Sequence, residues 1–135
     1  MTSDAVLGVD PGTRKAGYAV VTGTGAGAPL ALGVEGLDTL LERLRPLVPE
    51  HGIRAVALGR GTNAAAIAAL LGCLELPIHL VDESGTTLFA RALYFADHPP
   101  RGWRRLVPIG LQLPPRPIDD YAALLIARRF TERGG

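Results

Sequence analysis

The stretch from Ala5 to Val21, AVLGVDPGTRKAGYAVV, restricts the possible folds of this chain more than any other. An apolar run (Ala5, Val6, Leu7, Gly8, Val9) halts on one carboxylate, Asp10. A turn-rich segment follows, and a second apolar run covers Tyr18 to Val21. A short continuous apolar run bounded by turn formers predicts a strand buried on both faces. Pro11 presets φ and Gly12 permits positive φ, so the chain turns directly after the acid. The pattern lifts a single acid to the tip of a core strand, beside a turn carrying Arg14 and Lys15. A carboxylate there is costly unless positive charge compensates it, and a metal ion would do so.

Downstream, TGTGAGAP (residues 22–29) lacks the G-x-G-x-x-G spacing and precedes another strand-like run, Leu30 to Val34, so it reads as a hairpin loop. The first three strands then form an antiparallel meander. From Leu37 the period changes: Leu37, Leu40, Leu41, Leu44, Leu47 and Val48 recur at helical spacing, and Pro46 should end or kink that helix near Arg45. Ile53 to Leu58 reads as a fourth strand, residues 59–63 as a turn with helix caps, Ala64 to Cys73 as a small-residue helix, and Ile78 to Val81 as a fifth strand. Two further helices are predicted, one capped by Thr86 or Thr87 and one from Asp119 to Arg133, whose end charges suit the helix dipole. Three meandering strands followed by alternating strands and helices predict an α/β fold: one five-stranded mixed sheet with helices on both faces.

A length of 135 residues suits a single domain over residues 1–135. No apolar stretch approaches the roughly 18 residues of a membrane helix. MTSDAV is not a charged segment leading into an apolar one, so a cytoplasmic location is the expectation. One cysteine, Cys73, excludes an internal disulfide and a cysteine-based zinc site, and reads as a small buried residue. His79, inside a strand, is expected in the core. Net charge is +1, but residues 98–118 hold four arginines, six prolines and no acid, while the remainder carries 10 basic against 13 acidic side chains. A loop of that length is usually functional or disordered.

Three acidic positions could gather at the carboxyl edge of the sheet, where open α/β sheets bind ligands. Asp10 ends the first strand, Asp82-Glu83 follows the fifth, and Asp119-Asp120 opens the last helix. Asp82 and Glu83 alternate faces, so one points inward, and Glu83 is preferred. Clustered carboxylates repel unless a cation joins them. An all-oxygen donor set without a Cys or His cluster points to Mg²⁺ or Mn²⁺. Two such ions about 3.5–4 Å apart are the usual apparatus for hydrolysing a phosphodiester.

The strings VLGVDPGTRKAGYAVV, VDESGTTLFARAL and IDDYAALLIARRF resemble the three signature blocks of the YqgF (RuvX) family, RuvC-like nucleases of the ribonuclease H-like superfamily. The first block, D-x-G-T-[RK]-x-x-G, falls on Asp10, Gly12, Thr13, Arg14 and Gly17; the second, D-E-R-x-[ST]-T, on Asp82, Glu83, Thr86 and Thr87; the third, D-x-x-A-A, on Asp119, Ala122 and Ala123. Ser84 stands where the family usually has Arg, and Leu58-Gly59-Arg60-Gly61 replaces its usual Gly-Leu-Pro. The resemblance implies a ribonuclease H-like fold with strand order 3-2-1-4-5. It implies Asp10, Glu83 and Asp119 as catalytic metal ligands, favours Asp119 over Asp120 in the third block, and suggests a role in maturing ribosomal RNA precursors. In that order Glu83 lies two strands from Asp10, about 10 Å before side-chain reach.

Candidate nucleic-acid contacts are Arg14 and Lys15 in the first turn, Arg60 after the fourth strand, and Arg101, Trp103, Arg104 and Arg105 in the proline-rich loop. Arginine meets phosphate and Trp103 could stack on a base, although it could equally pack beneath the loop. The expected partner is structured RNA or branched DNA, and a homodimer would suit a two-fold junction. The rival functions are a Holliday-junction resolvase and a catalytically silent nucleic-acid-binding protein of the same fold. A phosphotransferase of the sugar-kinase group would require a second domain.

Overall fold

In a computed structural model, β1 (Ala5–Asp10) occupies the centre of a five-stranded sheet of order β3-β2-β1-β4-β5. The structure describes residues 5–24, 27–61, 63–82, 86–98 and 119–132. β1 pairs antiparallel with β2 (Lys15–Val21), which pairs antiparallel with β3 (Ala31–Gly36). On its other side β1 pairs in parallel with β4 (Ile53–Gly59), which pairs in parallel with β5 (Ile78–Val81). The predicted meander and strand order both hold.

Side-chain alternation divides the sheet into two unlike faces. One carries Leu7, Val9, Tyr18, Val20, Val56 and Leu58, all buried. Over it pack α1 (Leu37–Leu44), α2 (Leu47–His51) and α3 (Ala64–Leu71) through Leu40, Leu44, Leu47, Ile67 and Leu71. Pro46 separates α1 from α2 as its missing N–H requires, and α2 closes on Gly52 at φ 66°.

The opposite face is built from smaller residues. Gly8, Ala19, Ala55 and Ala57 sit in register across three strands, between Val6 and Val21 at one end and Asp10 and Gly17 at the other. Low relief lets one helix lie close. α5 (Asp119–Glu132) does so through Ala123, Leu124, Ile126, Ala127 and Phe130. A Cβ on Gly8 would fall 2.3 Å from the Ala123 carbonyl oxygen, so only a glycine admits the helix at that height. α4 (Thr86–Asp97) packs on α5 where Ala90, Tyr94 and Phe95 meet Tyr121 and Ala122. The sheet is thus covered on both sides.

Two expectations fail at the margins. His79 is exposed, because β5 is an edge strand of four residues; its ring lies 4.9 Å from that of Phe130. Cys73 is also exposed, because it lies in the 3₁₀ turn Gly72–Leu74 that follows α3, where Leu74 and not Cys73 packs on the core. Among the described residues no helix is long and apolar enough to cross a membrane.

Candidate functional site

Asp10 is the last residue of β1 and is half-buried. By alternation it shares the α5 face with Val6 and Gly8, and its antiparallel partner is Gly17. A Cβ on Gly17 would lie 2.0 Å from the Asp119 carbonyl oxygen and 2.7 Å from the Asp120 nitrogen. The first turn of α5 therefore rests directly on the residue paired with Asp10. Directly opposed residues of an antiparallel pair have Cα atoms about 4.5–5.5 Å apart. Acids distant in sequence by more than a hundred positions are thus neighbours at one rim.

The two acids of α5 differ in exposure. Asp119 is half-buried, whereas Asp120 is 4% exposed, and its Oδ1 accepts the backbone N–H of Tyr121 at 2.9 Å. Carboxylates in the first helical turn also face the positive end of the helix dipole. The Tyr121 hydroxyl donates to Asp97 Oδ2 at 2.9 Å, tying α5 to the end of α4 beside the site.

The turn after Asp10 is held at three points. The Leu37 N–H donates to the Arg14 carbonyl at 3.0 Å, and Lys15 begins β2 opposite Gly36. From the loop before α3, Asn63 Nδ2 donates to the Gly12 carbonyl at 3.0 Å. Arg14 and Lys15 are both exposed on this turn. At the other end of the rim, Val81 is buried and its carbonyl accepts the Arg60 N–H. Arg129 on α5 donates from Nη1 to the Asp82 carbonyl at 2.7 Å.

The structure sets the backbone of Asp119 and Asp120 against Gly17, the strand partner of Asp10, with Arg14 and Lys15 in the turn that follows Asp10. Arg60 belongs elsewhere: it is exposed on the α3 face and lines an open groove of about 530 Å³ with Ala64, Ala65, Ala68, Ile78 and Leu80. Glu83, Arg101, Trp103, Arg104 and Arg105 lie outside the described residues, so the third expected acid and the aromatic-basic loop have no described position. Among the described residues no group of three His, Cys, Asp or Glu side chains could hold a metal ion. The described donors are carboxylate oxygens at a half-buried rim, a donor type that fits a hard divalent cation.

Three positioning elements escape a reading of the sequence. Gly17 reads as a turn residue, yet its missing side chain seats α5. Arg129 reads as dipole charge, yet it reaches the end of β5. Asn63 reads as a helix cap, yet it makes no capping bond and reaches Gly12 instead. Its place just before an apolar helix suggested a local role, and nothing in the local pattern points across 51 residues.

No family model matches the chain. A Pelotomaculum thermopropionicum protein, named as a candidate pre-16S rRNA nuclease, is 30% identical over 151 residues, spanning 96% of this chain and 88% of that protein. Among solved structures, T. thermophilus RuvC in complex with a Holliday junction substrate superimposes with a TM-score of 0.60 at 22% identity, covering 98% of this chain and 96% of the other. A second Thermus thermophilus RuvC structure gives a TM-score of 0.53 at 18% identity, covering 96% of both chains. These two likenesses establish a ribonuclease H-like fold.

Proposed function

Because the chain belongs to the YqgF (RuvX) family, to which its pre-16S rRNA nuclease relative belongs, we propose that it is a divalent-metal-dependent nuclease acting on structured RNA, with ribosomal RNA precursor as its substrate class. The observation that carries this reading is the meeting of Asp10 with the head of α5 across Gly17. Asp10, Glu83 and Asp119 are the proposed ligands of Mg²⁺ or Mn²⁺. Asp120, buried and bonded to its own helix, sits at the inner margin of the set. The chemistry that a divalent pair supplies at such a site is a bound water of lowered pKa and positive charge against the leaving oxygen.

The chain's own residues do the rest. Asp10 and Asp119 present oxygens from a strand end and a helix end, two rigid elements whose separation is set by backbone contact at Gly17. Rigid placement of reacting groups is where much of a catalytic site's advantage arises. Arg14 and Lys15, exposed beside the acids, meet backbone phosphates, and the resulting affinity falls as salt rises. The sequence supplies Arg101, Trp103, Arg104 and Arg105 as further contacts, with Trp103 stacking on an unpaired base.

The test is incubation with Mn²⁺ and end-labelled structured RNA, duplex DNA and a four-way DNA junction in parallel. Cleavage of the RNA that is lost in Asp10→Asn, with nucleic-acid binding largely retained, is the expected outcome. Cleavage of the junction alone would replace the RNA substrate by branched DNA. Cleavage of none, by a chain that also takes up no Mn²⁺, would refute the nuclease reading and leave a binding protein of this fold.

A further inference from the structure

We infer that Asn63 is a positioning residue for Asp10, acting through the turn that follows it; the inference rests on the metal-dependent reading above. Asn63 precedes α3 with φ 72° and ψ 13°, a left-handed conformation that glycine adopts most freely and asparagine more readily than most other residues. The side chain makes no capping bond to α3. The side chain crosses the carboxyl edge of the sheet and donates from Nδ2 to the Gly12 carbonyl at 3.0 Å, in a partly buried setting.

Gly12 is two residues beyond Asp10, in a turn so tight that a Cβ there would fall 2.3 Å from the Lys15 carbonyl oxygen. β1 and β4 are parallel neighbours with Val9 opposite Leu58, so the loop after β4 passes beside this turn. Asn63 stands in that loop, with its own carbonyl accepting the Ile67 N–H of α3. One side chain therefore anchors the Asp10 turn to the start of a helix packed in the core. Its donor group is what glycine, the better residue for that backbone, cannot provide. The partners that orient primary metal ligands govern affinity about 10- to 100-fold.

Asn63→Gly separates the two roles, because it preserves the left-handed backbone and removes only the donor. Two quantities are measured on the full chain. These are the Mn²⁺ dissociation constant by calorimetry and the hydrogen-exchange rate of the peptide spanning residues 10–16, with circular dichroism verifying the fold. The expected result is Mn²⁺ affinity weakened about tenfold and turn exchange accelerated about fivefold, with helix content unchanged. Wild-type uptake of Mn²⁺ matched by Asn63→Gly would overturn the positioning role while leaving the metal site standing. Unchanged exchange in the 10–16 peptide would likewise overturn it. A wild-type chain that takes up no Mn²⁺ would overturn the metal-dependent reading and the positioning role with it.

Discussion

Replacing Gly17 with alanine tests the contact on which the site depends. The added Cβ would sit 2.0 Å from the Asp119 carbonyl oxygen and 2.1 Å from its carbonyl carbon, both backbone atoms. No rotamer change relieves such an overlap, so the first turn of α5 must retreat by about 1.5 Å to reach ordinary contact. Overpacking of this kind costs about 1–3 kcal/mol, offset by the roughly 0.5–1 kcal/mol that alanine gains over glycine in a strand. Net destabilisation of up to about 2.5 kcal/mol is expected, read as a lower urea midpoint at unchanged slope. The same retreat carries Asp119 away from Asp10. A misplacement of about 1 Å at a reacting centre can cost about a hundredfold in rate, so Mn²⁺-dependent cleavage should fall more steeply than stability. Gly72→Ala is the control: it has open space around it and a helical φ of −56°, so its midpoint should stay level or rise slightly. If Gly17→Ala unfolded at the wild-type midpoint and cleaved at the wild-type rate, the contact would not set the spacing of the two acids.

Three further outcomes follow from the same geometry. Asp119→Asn should lose Mn²⁺ uptake in calorimetry, whereas Asp120→Asn, altering a buried carboxylate bonded to the Tyr121 N–H, should retain it and lower the urea midpoint. Arg14→Ala combined with Lys15→Ala should weaken nucleic-acid binding and flatten its dependence on salt by close to two phosphate contacts, measured by fluorescence anisotropy from low to moderate salt. Tyr18→Phe removes the hydroxyl that accepts Arg43 Nε at 2.8 Å; Arg43 remains able to reach water, so the loss should stay near the lower end of about 0.5–1.5 kcal/mol by denaturant unfolding.

Much of the architecture was legible because local patterns carry it. Apolar runs closed by turn residues mark β1, β2 and β4, leucines at helical spacing mark α1, and Pro46 ends α1 by the loss of one donor. Each signal rests on a few adjacent residues and holds wherever the segment lies. The exposure of His79 and Cys73 was not legible in this way. Whether a strand is central or marginal depends on its neighbours, and the chemistry of His79 is the same in either position.

The order of the elements and the acids that end β1 and open α5 can be read from the residues alone. That Gly8 and Gly17 face the same helix, and that Asn63 reaches the Asp10 turn, emerges only when the chain is folded. The physical reason is that a missing side chain or a single amide donor has meaning only against the atoms opposite it. Those atoms, Ala123, Asp119 and Gly12, come from segments whose approach is set by the packing of the whole sheet.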